Sequence, residues 1–266
     1  HKWRIDEKKV ENFDKFDDIY QFLLKRLENF NQKELLILAI ASVAGKEFQI
    51  DLLFQLVTFW NKKSKKIKQK EIMQEIILVL DKGKKERIID ESMIKDKKNY
   101  AFVHNKIIAA LYQKINEKEK KELELTCAKA LEEFYKDNID EGLYEIAYHY
   151  NQTGEIKKIL YYNELAYQKA ISQHSMNEAV YYMQKIVDFY IDQEKIESNI
   201  IGILVTMSKY KHILGDIFES IKYLKKAVNK TENKNDEMNI YLQLGIGHYF
   251  LNDTNKSLAF INKALD

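Results

Sequence analysis

The chain has no proline, where average usage of about 5% would place roughly a dozen in 266 residues. No kink or stiff linker in its fold is therefore made by a proline ring. It has one cysteine, Cys127 in an apolar helical stretch, which excludes an internal disulfide and fits a reducing compartment. Only Arg4, Arg26 and Arg87 of the 43 basic residues are arginine. The lysines that replace them are flexible point charges, without the planar fork that reads phosphates and guanines. These shortages, beside abundant Asn, Ile and Tyr, match AT-rich codon usage, a mutational bias without mechanistic meaning. The eight glycines include no G-x-x-x-x-G-K-[ST] run, which excludes a phosphate-binding loop of that kind. Gly245-Ile246-Gly247 lies in a helical pattern and is no nucleotide loop. No apolar run approaches the ~20 residues of a membrane span, and no signal-peptide pattern opens the chain. A soluble, cytoplasmic protein is expected.

What is present suffices for a packed fold. Hydrophobic residues at 45% can bury a core, and the length suits one large domain or two ordinary ones. A repeat shows near the end. Tyr241, Leu244 and Gly245 precede the turn Asn252-Asp253, and Ser257, Leu258, Phe260, Ile261, Ala264 and Leu265 follow. The same frame lies 37 residues earlier, with Gly215-Asp216 at the turn and then Ser220, Ile221, Tyr223, Leu224, Ala227 and Val228. Small residues where helices cross, and aromatics filling the gaps between hairpins, make this a tetratricopeptide-like pattern. Farther back, Gly154-Glu155 marks a turn after a helix over 143–152. Ala166 and Ala170 lie on the next helix, and Ser175 or Asn177 caps another. About four hairpins are expected between roughly 141 and 266. The pattern stops at Asp266 without the polar cap that normally closes a solenoid, which predicts that a parent chain continues. Tyr161, Tyr162, Tyr181, Tyr182, Tyr223 and Phe260 are expected in the core. Tyr144, Tyr148, Asn151, Lys209, His212 and Tyr249 are expected on the concave helix faces, as candidates for contact with a protein or peptide.

The first half reads differently. An apolar helix over 34–44 closes on Gly45, a second follows over 52–60 with Asp51 as its cap, and a third spans 71–80. β-prone runs at 86–89 and 100–103 precede helices over 105–115 and 118–136. Three helices followed by a two-stranded hairpin is the order of a winged helix. The expected fold is mainly α. A linker and winged-helix domain with a small β hairpin occupies 1–117, and a bridging helix and an α-solenoid of tetratricopeptide-like helical hairpins occupy 118–266.

A winged helix raises the question of nucleic acid. Lysines 62, 63, 65, 66, 68 and 70 precede the third helix, and lysines 82, 84, 95, 97 and 98 flank the wing. Residues 60–100 carry a net charge of +6 against −2 for 141–266, yet the whole chain is only +2. The third helix itself carries Glu71 and Glu75, no arginine, and only Gln74 near base-reading positions. That argues against sequence-specific DNA binding. His149, His174, His212 and His248 pair at no metal-ligand spacing, and no Ser/His/Asp or Cys/His grouping forms. No catalytic residue, metal or cofactor is expected in this segment.

Three marks, in order, carry a family resemblance. They are Leu35, Leu36, Ala39, Ala41, Gly45 and Phe48; then Phe102, His104, Asn105, Ala110 and Tyr112; then Glu145, Ile146, Ala147, His149 and Tyr150 through Gly154. Trp3 and the segment 20–27 add the approach to them. Together these resemble the region after the nucleotide-binding core of bacterial STAND-type signalling ATPases, large proteins joined to kinases, adenylate cyclases or LuxR-type regulators. The resemblance implies ATP or ADP and Mg in a parent protein, with the nucleotide switch upstream. It also implies that His104 and Asn105, at a strand-to-helix junction, sense the nucleotide. Here Asn replaces the family's Asp, and on its own the pair reads as a helix cap. The leading expectation is a non-catalytic regulatory segment that couples such a switch to partner binding. The alternatives are a transcription-regulator segment with a DNA-binding winged helix, and a stand-alone repeat scaffold.

Overall fold

The computed structural model describes residues 25–62, 69–94 and 97–265. Trp3, the approach segment up to residue 24, and lysines 63, 65, 66, 68 and 95 lie outside them. The described residues form twelve complete helices, a helical stretch at 25–27 before them, and a three-stranded antiparallel sheet. The contacts divide the chain into two compact units, His1–Gly142 and Leu143–Asp266.

In the first unit, helix α1 (Gln32–Ala44) opens on a capping box. Asn31 Oδ1 accepts from the Glu34 amide at 3.0 Å, and the Glu34 carboxylate accepts from the Asn31 amide at 2.8 Å. Ile37 to Val43 are all buried, so α1 is a core helix and not a one-faced surface helix. Gly45 ends it at φ 118°, a value that side chains strongly disfavour. Strand β1 (Glu47–Gln49) follows, then α2 (Ile50–Lys62), so the expected cap Asp51 instead sits in the first helical turn. Helix α3 (Gln69–Lys85) runs past its expected end. Gly83 lies within it, where a Cβ would come 3.2 Å from Ile89 Cδ1, so the glycine admits the next strand close against the helix. Strands β2 (Ile89–Ile94) and β3 (Lys97–Phe102) pair from Ile89↔Phe102 to Ile94↔Lys97. Their hairpin begins later than expected because α3 continues to Lys85 and Arg87 turns the chain at φ 53°.

The unexpected β1 pairs with the other edge of β3, giving the order β1-β3-β2. Phe48 stacks on Tyr100 with ring centres 6.1 Å apart and meets Phe102 at 5.7 Å, which ties the sheet to the core. Helices α4 (Asn105–Gln113) and α5 (Glu117–Phe134) complete the unit. The expected boundary at 117/118 differs from the observed one. Helix α5 packs on α1 and α2 and buries Leu123, Cys127, Ala130 and Leu131, so it belongs to the first unit. Burial pushes the Cys127 thiol well above its ordinary value, leaving it an inert core group.

Helix α6 (Ile139–Asn151) straddles the division. Beyond it lie α7 (Ile156–Ser172), α8 (Met176–Tyr190), α9 (Ser198–Leu214), α10 (Ile217–Ala227), α11 (Lys234–Phe250) and α12 (Thr254–Leu265). They form three helical hairpins, α7–α8, α9–α10 and α11–α12. Each hairpin packs on the next, α8 against α9 and both α9 and α10 against α11. The count is three hairpins preceded by α6, where about four were expected. Their shared core holds Ala170, Ala179, Met183, Leu204, Leu224 and Leu244 among others. No helix among the described residues is long and apolar enough to cross a membrane.

Candidate interaction surface

Small residues set the distances between the hairpin helices. A Cβ on Gly245 would lie 2.7 Å from Ile261 Cγ1 and 3.2 Å from the Ser257 carbonyl oxygen, so this glycine brings α11 onto α12. A Cβ on Gly247 would lie 2.9 Å from Ile221 Cγ1 and 3.1 Å from His212 Nε2, so this one brings α11 onto the preceding hairpin. The glycine pair thus serves two packing faces of one helix.

Polar groups are buried at the same crossings. His212 Nε2 lies 2.9 Å from Ser220 Oγ, and both residues are buried. His212 Nδ1, both ring nitrogens of His248 and the Ser208 hydroxyl have no hydrogen-bond partner among the described residues. Burial holds both imidazoles below their ordinary value; for His248 the Lys225 charge adds to this and Asp253 opposes it. Lys211, with only 2% of its side chain exposed, places Nζ 2.8 Å from Glu219 Oε2 and thereby lowers the Glu219 carboxyl. The enclosed His212–Ser220 pair offers a substrate no approach. It serves packing.

The six candidate contact residues divide. Lys209, Tyr148 and Tyr249 are exposed. Tyr144 is engaged within the unit: its hydroxyl donates to Gln173 Oε1 at 2.9 Å, and its ring stacks on Tyr182 at 5.4 Å. Asn151 exchanges side-chain hydrogen bonds with Asn163, at 2.6 and 3.1 Å. His212 is a correction, since α11 covers it and it belongs to the core. Of the expected core rings, Tyr162 and Tyr182 are buried, while Tyr223 and Phe260 are half-buried. Tyr161 and Tyr181 are corrections: each lies edge-on to its buried neighbour and faces outward. The exposed apolar residues Ile213, Phe218 and Phe250 were not anticipated. A signal existed, because Ile213 and Phe250 occupy the same place in the 37-residue frame.

His104 stands exposed at the junction of β3 and α4 as the N-cap, its Nδ1 accepting from the Lys106 amide at 3.1 Å. Asn105, the first helical residue, is exposed beside it and does not provide the cap. Around the sheet, Lys82 pairs with Glu34 at 2.7 Å, Lys84 with Glu91 and with Asp81 at 2.9 Å, and Lys98 with Glu91 at 3.1 Å. The outer face of α3 exposes Glu71, Gln74, Ile77 and Leu78. Among the described residues no group of three or more His, Cys, Asp or Glu could hold a metal ion. No protein-family model matches this chain, and no curated protein matches its sequence.

Proposed function

We propose that the chain is a non-catalytic regulatory and protein-interaction segment in which tetratricopeptide-like hairpins of residues 143–265 take a protein or peptide partner. One observation carries the reading. Successive hairpins present Lys209 and Ile213 on α9, and Phe250 on α11, as outward apolar and cationic side chains. The order of three helices, β1 between the first two, and the β2–β3 hairpin supports a winged helix in the first unit. With the resemblance of its three marks, this supports a place in a signalling ATPase of the STAND type, where His104 sits at the junction expected to respond to a nucleotide switch.

The DNA alternative finds less support. Lys82, Lys84 and Lys98 beside the sheet are paired with carboxylates of their own unit, and the helix that would enter a groove shows carboxylates and aliphatic side chains. Selecting peptides from a random library on the full chain, then measuring fluorescence anisotropy, tests the proposal. The double variant Ile213→Ser, Phe250→Ser is expected to weaken the selected peptides at least tenfold while circular dichroism stays unchanged. Unchanged affinity, or a salt-sensitive mobility shift with duplex DNA in place of peptide binding, contradicts it.

A further inference from the structure

The hairpins can be compared position by position from their turns. Val180 in α8, Ile221 in α10 and Leu258 in α12 stand at the same place, with exposures of 8%, 6% and 56%. Met183 and Leu224 are buried, while their counterpart Ile261 is only partly so. Val187 is 1% exposed and Leu265 81%. On the first helix of each hairpin, Ile201 and Val205 of α9 are buried, whereas Met238 and Leu242 of α11 are exposed. Every one of these positions is apolar in both hairpins. The same surface that α9–α10 buries is bare on α11–α12.

The structure also shows what covers that surface. On α9–α10 the cover is α11, and its backbone comes down over Ile221 and His212 because Gly247 has no side chain there. The counterparts of Ile221 and His212 are Leu258 and Tyr249, both exposed. We infer that the face of Met238, Leu242, Tyr249, Leu258, Ile261 and Leu265 is a docking surface for one further helical hairpin. The first helix of that hairpin crosses α12 with a glycine or alanine above Leu258. The inference rests on reading α7 to α12 as stacked copies of one repeat, and it names the partner of one face: a helix of the α11 type rather than an extended peptide. The internal interface of α10 with α11 continues onto it unchanged in pattern.

The test supplies a cover of the inferred kind. Residues 230–266 are appended as a second copy after Asp266 of the full chain, which keeps the 37-residue spacing. Leu258→Cys in the original hairpin reports access through its maleimide reaction, since Cys127 is buried. The expected results are at least tenfold slower labelling in the extended chain, added helix by circular dichroism, and a higher midpoint of thermal unfolding. An appended copy with leucine in place of its glycine at the Gly247 position is expected to lose the protection. Labelling as fast with the added copy as without it overturns the inference, whether or not the copy becomes helical. So does concentration-dependent protection in the unextended chain, because that places a second copy of the protein on this face. Neither result touches the peptide measurement at Ile213 and Phe250, so failure here is distinguishable from failure of the interaction reading.

Discussion

The two units bury different things. The first closes mainly around apolar side chains drawn from distant stretches of sequence, with Ser42, Asn99, Glu124 and Thr126 as its buried polar residues and the centre of α1 buried all round. The second packs each helix on its neighbours along the chain and places His149, Asn163, Ser208, Lys211, His212, Ser220, Gln243, His248 and Ser257 inside. The difference teaches what each design tolerates. A many-sided core fails as a whole when one large side chain is lost, because its neighbours come from every element. A row of hairpins fails locally, at the interface that was touched. It also leaves its outer positions open for contacts, since each helix packs on at most three others.

The largest expected effect is in the first unit. Leu53→Ala removes a fully buried side chain and should cost about 3 kcal/mol, with loss of cooperative unfolding over α1 to α5 in urea melts followed by hydrogen exchange. Gly247→Leu in the second unit should cost about 1–3 kcal/mol, and faster exchange should be confined to α11, α12 and the face of α9–α10 beneath them. A global loss of protection there would break the comparison.

Glu219→Gln removes the nearer charged partner of the buried Lys211 ammonium and leaves Asp216 at 4.0 Å. It should cost about 1–2 kcal/mol, less than the ~3–5 kcal/mol of a fully enclosed pair, because Glu219 remains half-exposed.

Acid should act more weakly still, and on the second unit. Burial holds His212 and His248 below the ordinary imidazole value, so as pH falls below about 6.5 the unfolded chain takes up protons first. Stability from these groups is present above that pH and lost as pH falls toward the folded values. Urea midpoints at pH 7 and 5.5 should therefore differ, and the difference should shrink in a His212→Gln, His248→Gln variant. The smallest effect is expected at Leu258→Ala, within about 0.5 kcal/mol, because that side chain is already largely in water.

Much of this was legible in the residues. The apolar run before Gly45 announced a buried helix with a left-handed stop, and the 37-residue frame announced two of the hairpins, with Gly215 at φ 89° at one turn. Strand β1 was not legible, because three residues are too few to show alternation and Phe48 reads equally well as a helix lead-in. Burial was the harder quantity. The repeat pattern placed apolar residues on the correct helices, but whether Ile221 or Leu258 is covered depends on which helix lies above it. Local pattern carries no record of that neighbour. For the same reason His212 read as a surface residue: the glycine that lets α11 cover it lies 35 positions away. The pairing of Lys82, Lys84 and Lys98 with carboxylates was hidden too, since a lysine-rich stretch looks the same in sequence whether it is neutralised or bare.

The central claim is that partners bind the hairpins while the first unit closes on itself. Hydrogen exchange of the full chain, with and without a saturating selected peptide, tests it most directly. Slowed exchange is expected in α9 and α11, around Lys209, Ile213 and Phe250. Protection confined to α1 through α5 would contradict it.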